Sequence, residues 1–122
     1  MELVIGNKNY SSWSLRPWLL LSVHGLPFKE LRIPLEQENT SVAITQYTDA
    51  GKVPVLKDGD LTTWDSLAIC EYISEQYLDG RGGPSSVRSR AEARSCSAEM
   101  QSSFSEIRGR MKMSCHAIGR KV

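Results

Sequence analysis

The sequence predicts an α/β domain of element order βαβαββα followed by a helical segment, and three observations carry that prediction. Short runs of branched apolar residues alternate with stretches of helical periodicity up to Leu78. Asp58-Gly59-Asp60 joins two of those runs as the tight turn of an antiparallel hairpin, its glycine supplying positive φ. Asp79–Ser86, DGRGGPSS, reads as a linker before a second periodic stretch.

Taken in order, Leu3–Ile5 is a short apolar strand ended by Gly6, and it leads into the loop Asn7–Trp13. The first helix is predicted to begin near Ser14 as its cap, with Pro17 in the first turn where a missing N–H is harmless and Gly25 as the stop. Leu31 and Ile33 alternate with polar residues as a second strand, and a less regular helical stretch follows around Thr40–Tyr47. Val53–Lys57 and Leu61–Trp64 form the hairpin. The third helix, from Asp65-Ser66, is apolar around most of its circumference through Leu67, Ala68, Tyr72, Ile73 and Tyr77, and is expected to be largely buried. Beyond the linker, Cys96, Met100, Phe104, Ile107 and Met111 recur at steps of four, four, three and four, which predicts one stripe on one long helix. The predicted division is therefore 1–78, a linker over 79–86, and a helical segment over 87–122.

Composition bounds the class of protein. With 122 residues, 40% hydrophobic and 24% charged, the chain can bury one modest core. No apolar run approaches the roughly 20 residues of a membrane span, and MELVIGNKNY has neither the basic region nor the apolar core of a signal peptide, so a cytoplasmic location is expected. Cys70, Cys96 and Cys115 are odd in number and lack framework spacing, which argues for free thiols. The net charge of +1 hides a basic tail. Its arginines, at 81, 88, 90, 94, 108, 110 and 120, alternate with Glu92, Glu99 and Glu106 and lack interleaved aromatics, so they read as a solvated helix face rather than a nucleic-acid surface.

Two short motifs point to a ligand. Val53-Pro54 at the start of a strand, inside GKVPVL, is a candidate cis bond that would expose the Val53 backbone to an extended peptide. Asp65 and Ser66 then offer a carboxylate, a hydroxyl and unpaired amides at a helix start. Together the pair can hold both ends of a small zwitterion.

The βαβαββα order, the VP dipeptide and the helix opening DSLAICEYI are together similar to the N-terminal thioredoxin-like domain of soluble glutathione transferases. The likeness covers Glu2–Leu78, and NYSSWSLRPWLLL resembles the loop of the bacterial serine-type members near the zeta class. From Val87 the chain looks like the first helix of the family's all-helical second domain, which continues in the family through several more helices, so a truncated second domain is expected. The resemblance implies glutathione as co-substrate, no metal, a small electrophile as the second substrate, and a homodimer that binds neither nucleic acid nor membrane. It further implies that the chain activates the glutathione thiol for attack on that electrophile.

The residues agree with that chemistry. A thiol of pKa about 8.5 becomes a nucleophile at neutral pH when a hydroxyl donor, helix amides and a helix dipole stabilise its thiolate. Aligning Arg16 with the family's arginine makes Ser11 the first choice of donor and Ser12 the second, with Ser14 and Tyr10 as further candidates. As backbone features alone, the same serines are ordinary residues before a helix. Val53 is implied to bind the cysteinyl part of glutathione through its backbone while Pro54 fixes the geometry. Ser66 takes the γ-glutamyl carboxylate, Asp65 favours its ammonium, and Lys52 can reach the glycyl carboxylate.

Other readings stay open on the sequence. Zeta-like glutathione-dependent isomerisation uses the same thiolate, and a non-catalytic glutathione-binding or interaction module needs no thiolate at all. A thioredoxin-type reductase is the least favoured of these readings, since no CxxC occurs. Cys115-His116 are adjacent but in a poorly patterned tail, Cys70 reads as core, and His24, Cys96 and His116 have no zinc-ligand spacing.

Overall fold

The fold is that of a computed structural model describing residues 1–35 and 37–111. Its elements run β1 (Glu2–Ile5), α1 (Ser12–Val23), β2 (Lys29–Arg32), α2 (Thr40–Thr45), β3 (Val55–Asp58), β4 (Leu61–Trp64), α3 (Ser66–Tyr77), α4 (Val87–Ser102) and α5 (Ser105–Arg110). The strands form one sheet in the order β2-β1-β3-β4, with β1 parallel to β2 and antiparallel to β3. This is the predicted thioredoxin-like α/β architecture followed by helices.

Side chains alternate across a strand, so β1 feeds both faces of the sheet. Leu3 and Ile5 join Leu21, Leu56, Ile69 and Ile73 in a core beneath α1 and α3, whereas Val4 joins Val55, Ile33 and Ile44 against α2. Burial at this depth stabilises by about 1.5–3 kcal/mol per large side chain. The sheet is thereby sandwiched, and the starts of α1 and α3 come to one end of it.

Three expectations are corrected. Helix α1 begins at Ser12 with Ser11 as its cap, because the Ser11 hydroxyl accepts the Ser14 N–H; Ser14 is itself fully buried within the first turn. Helix α3 is not largely buried: only Ser66, Ile69, Ile73 and Ser74 are buried, and Tyr77 is exposed. The long helix after the linker is broken. Ser102 turns its hydroxyl back onto the Ala98 carbonyl, Ser103 is extended and Phe104 takes a left-handed φ of 61°, so the stripe from Cys96 to Met111 is split between α4 and α5. Neither α4 nor α5 buries a residue, and Met100, Phe104, Ile107 and Met111 are all exposed. Cys115, His116 and Arg120 lie outside the described residues.

The 79–86 segment is tied to α3 rather than loose. Gly80 donates to the Ser74 carbonyl at 2.8 Å and Gly82 to its hydroxyl at 2.9 Å. A Cβ at Gly82 would stand 2.7 Å from that of Ser74, so the approach requires glycine. Helix α4 then runs antiparallel to α3, held by Arg94 on Glu71 at 3.3 Å and by the Gln101 amide on the Asp65 carboxylate.

Candidate functional site

A cavity of about 520 Å³ opens where the start of α1, the approach to β3 and the start of α3 meet. It is the size of an ordinary small-molecule site. Lys52, Val53, Pro54, Asp65 and Ser66, all singled out from the sequence, line it.

The Val53-Pro54 bond is cis. Both sheet ladders begin at Val55, so the N–H and carbonyl of Val53 are not committed to strand pairing. Pro54 is buried and Lys52 is exposed at the rim.

Asp65 and Ser66 divide their work. Asp65 Oδ1 accepts the N–H groups of Leu67 at 2.9 Å and Ala68 at 3.3 Å, which caps α3. Its φ is 77°, a left-handed value that costs a non-glycine residue of order 1–3 kcal/mol and concentrates at functional sites. Its second oxygen faces Gln101. Ser66, buried at 4% exposure on the first turn of α3, makes no side-chain hydrogen bond among the described residues and turns its surface to the cavity.

The serines before α1 are not equivalent. Ser11 is buried, and its hydroxyl both accepts the Ser14 N–H and donates to Ser14 Oγ at 2.9 Å. Ser14 Oγ in turn accepts the Gly6 N–H at 3.0 Å. Ser12 is half-buried with a hydroxyl free of protein partners among the described residues. Tyr10 is 59% exposed, and none of Tyr10, Ser11, Ser12 and Ser14 lines the cavity, where α1 contributes Trp13.

Five wall residues were not anticipated: Trp13, Ala50, Trp64, Gln101 and Arg108. The Trp13 ring carries the Arg16 guanidinium at 4.1 Å and that of Arg108 at 5.3 Å. Arg108 also donates from Nη1 to the Gln101 carbonyl at 3.0 Å, and its buried Nε has no partner among the described residues. Sequence reasoning assigned Arg108 to a solvated face, because the break at Ser103 that turns it inward leaves no mark on charge spacing. Trp13, which the sequence places at the end of the loop before α1, carries no signal of its own for a site.

Cys70 lies outside this cavity, in the groove between α3 and α4. It is half-buried rather than core, and burial pushes its thiol up to about 11, with the nearby Arg16 only partly opposing the shift. It is therefore a poor nucleophile. Among the described residues no group of three His, Cys, Asp or Glu side chains can hold a metal ion, and no helix is long and apolar enough to cross a membrane.

The profile of the family described as glutathione S-transferase, N-terminal domain, matches residues 10–76. The chain belongs to that family. It is 39% identical over 62 residues to dichloromethane dehalogenase of Methylorubrum extorquens, a stretch that is 43% of this chain and 21% of that protein. Among solved structures it is similar to a holo maleyl pyruvate isomerase, a bacterial glutathione S-transferase of the zeta class, at 26% identity and TM-score 0.74 over 91% of this chain and 52% of that one. It is also similar to a glutathione transferase homologue from Burkholderia with bound glutathione, at 25% identity and TM-score 0.70 over 87% and 55%. The chain thus spans about half the length of these structures.

Proposed function

We propose that this chain binds glutathione and activates its thiol for attack on an electrophile. The observation that carries the reading is the convergence on one cavity of Val53 and Ser66, whose polar groups the fold does not use, with Trp13 of the first turn of α1. An extended peptide would pair with the Val53 backbone as an added strand does. Its γ-glutamyl carboxylate would meet the Ser66 hydroxyl and the α3 amides, with the Asp65 carboxylate near the ammonium and Lys52 within reach of the glycyl end.

The thiol would then sit at the first turn of α1, where helix amides and dipole favour the thiolate. Of the two candidate donors, Ser12 has the uncommitted hydroxyl, and Ser11 must break its bond to Ser14 to compete. The reading is tested by titrating bound glutathione through its ultraviolet thiolate absorbance. A bound thiol pKa below that of free glutathione supports it; an unshifted value contradicts activation.

A second reading, glutathione-dependent isomerisation, is favoured by the likeness to maleyl pyruvate isomerase. In transfer the sulfur–carbon bond to the electrophile persists in the product. In isomerisation the thiolate adds and is later expelled, so product mass excludes glutathione and mass spectrometry separates the two. Homodimerisation, with the exposed Met100, Phe104 and Ile107 as apolar contacts, belongs to the same proposal and is checked by light scattering. So does action in the cytoplasm.

A further inference from the structure

Glu30, on β2, gathers three elements at one carboxylate. Its Oε2 accepts from Lys8 Nζ at 3.0 Å and from Trp18 Nε1 at 2.8 Å, and the Lys8 ammonium lies 4.3 Å from the centre of the Trp18 ring. Lys8 belongs to the loop between β1 and α1, and Trp18 to α1 itself, so the three contacts close a triangle at the base of that loop. Burial pushes the Glu30 carboxyl up, but the bonds from Lys8 and Trp18, with the charges of Lys8 and Arg32, outweigh it and hold its pKa below the ordinary carboxylate value. The carboxylate is thus charged wherever a thiol titrates.

As a source of stability the cluster is minor. Lys8 and Glu30 are 31% and 32% exposed, and an ion pair in such a setting is worth at most about 1 kcal/mol. Its position is more telling. Asn7, the residue before Lys8, carries the loop: its side-chain oxygen accepts the Leu35 N–H at 2.9 Å, and its carbonyl accepts the N–H groups of Tyr10 at 3.0 Å and Ser11 at 2.8 Å. Ser11 caps α1, and Ser12 is the first residue of that helix. A short path therefore runs from Glu30 through Lys8 and Asn7 to the turn that sets where the Ser12 hydroxyl stands. Groups that act on a reacting atom are held to within about 0.5 Å, and a hydrogen bond weakens steeply once its geometry is lost.

We infer that Lys8 and Glu30 are positioning residues for thiolate activation, clamping the β1–α1 loop so that the Ser12 hydroxyl meets the glutathione thiol. The inference rests on the activation reading above. Neither Lys8 nor Glu30 lines the cavity, so both act through the loop and not on the ligand.

Their opposite charges separate a clamp from a through-space field. Removing a cation near a thiolate raises the thiol pKa and removing an anion lowers it, whereas opening a clamp raises it from either side. The test titrates the thiol of bound glutathione by its ultraviolet absorbance in the full chain, for the wild type, Lys8→Met, Glu30→Ala and the double variant. Each single variant is expected to raise the pKa by about half a unit to one unit, the effect of a hydrogen bond weakened but not lost, and the double variant by no more than the larger single shift. Lys8→Arg, which keeps a cation for both Glu30 and the Trp18 ring, should restore the wild-type value. Trp18→Phe, which deletes a bond to Glu30 without changing charge, should raise the pKa as well. Shifts of opposite sign in Lys8→Met and Glu30→Ala, or no shift in either, overturn the inference. Should either variant fail to fold by circular dichroism, Trp18→Phe decides, and an unshifted pKa there overturns the clamp. A wild type whose bound thiol is unshifted strikes the activation reading, and the inference falls with it; a lowered wild-type pKa with any of the overturning patterns strikes the inference alone.

Discussion

Ser11 donates its hydroxyl proton to Ser14 Oγ at 2.9 Å, and this bond separates two serines that the sequence leaves side by side. Ser14 Oγ is also the acceptor for the Gly6 N–H, so the pair ties the end of β1 to the start of α1. Ser11 thus holds the turn and Ser12 carries the free hydroxyl.

The two serines should separate experimentally. Ser11→Ala removes an N-cap and is expected to lower stability by about 1 kcal/mol in urea denaturation. Ser12→Ala should leave stability nearly unchanged and raise the pKa of bound glutathione by about one to two units, as expected for loss of a hydrogen bond to a charged group. A normal bound-thiol pKa in Ser12→Ala, with a raised one in Ser11→Ala, would reverse the assignment.

At Asp65 the cap and the charge are separable. Asn caps as well as Asp and tolerates positive φ, so Asp65→Asn should retain the fold while weakening glutathione binding by about tenfold through loss of the ammonium partner. Asp65→Ala should lose stability as well, by about 1 kcal/mol. Calorimetry beside denaturation reads both; unchanged affinity in Asp65→Asn would leave the residue a cap alone.

Burial predicts unequal cysteines. Cys96 is exposed, whereas the half-buried Cys70 has its thiol pushed up to about 11. Iodoacetamide at neutral pH should therefore alkylate Cys96 well before Cys70 in the folded chain, by peptide mass spectrometry, with the difference abolished in urea. Equal rates in the folded chain would contradict the packing of α3.

Asp58 gives stability two pH limits. The Tyr77 and Tyr72 hydroxyls donate to its carboxylate, Tyr72 at 2.7 Å, and hold its pKa below the ordinary carboxylate value. Its contribution is present above the unfolded pKa and is lost as the pH falls through the lower folded one. For Tyr72 the same bond to Asp58 raises the phenol to about 12, so that contribution is full below about 10 and is lost as the pH rises toward 12. Urea midpoints against pH should fall at both ends in the wild type and fall less steeply in Asp58→Asn; parallel curves would contradict the coupling.

The fold was legible because its signals are local. The apolar run Leu3–Ile5, the Asp58-Gly59-Asp60 turn and the stop at Gly25 each act within a few residues, and all appear close to where the pattern puts them. The cavity-lining residues before β3 and at the start of α3 were legible as motifs for the same reason. What escaped was tertiary. Whether Ser11 or Ser14 caps α1 depends on Gly6 across the loop, and the periodicity through Phe104 conceals a break set by Ser102 and Ser103. Arg108 reaches the cavity only because of that break, and no spacing rule could report it.

The most direct test of the half-site is calorimetric titration of the folded chain with reduced glutathione, beside a dipeptide lacking the γ-glutamyl group. Saturable binding of glutathione, with the dipeptide bound at least about tenfold more weakly, is the predicted result for a carboxylate held by Ser66 and the α3 amides. A chain that is folded by circular dichroism yet binds neither, or binds both alike, would contradict the account.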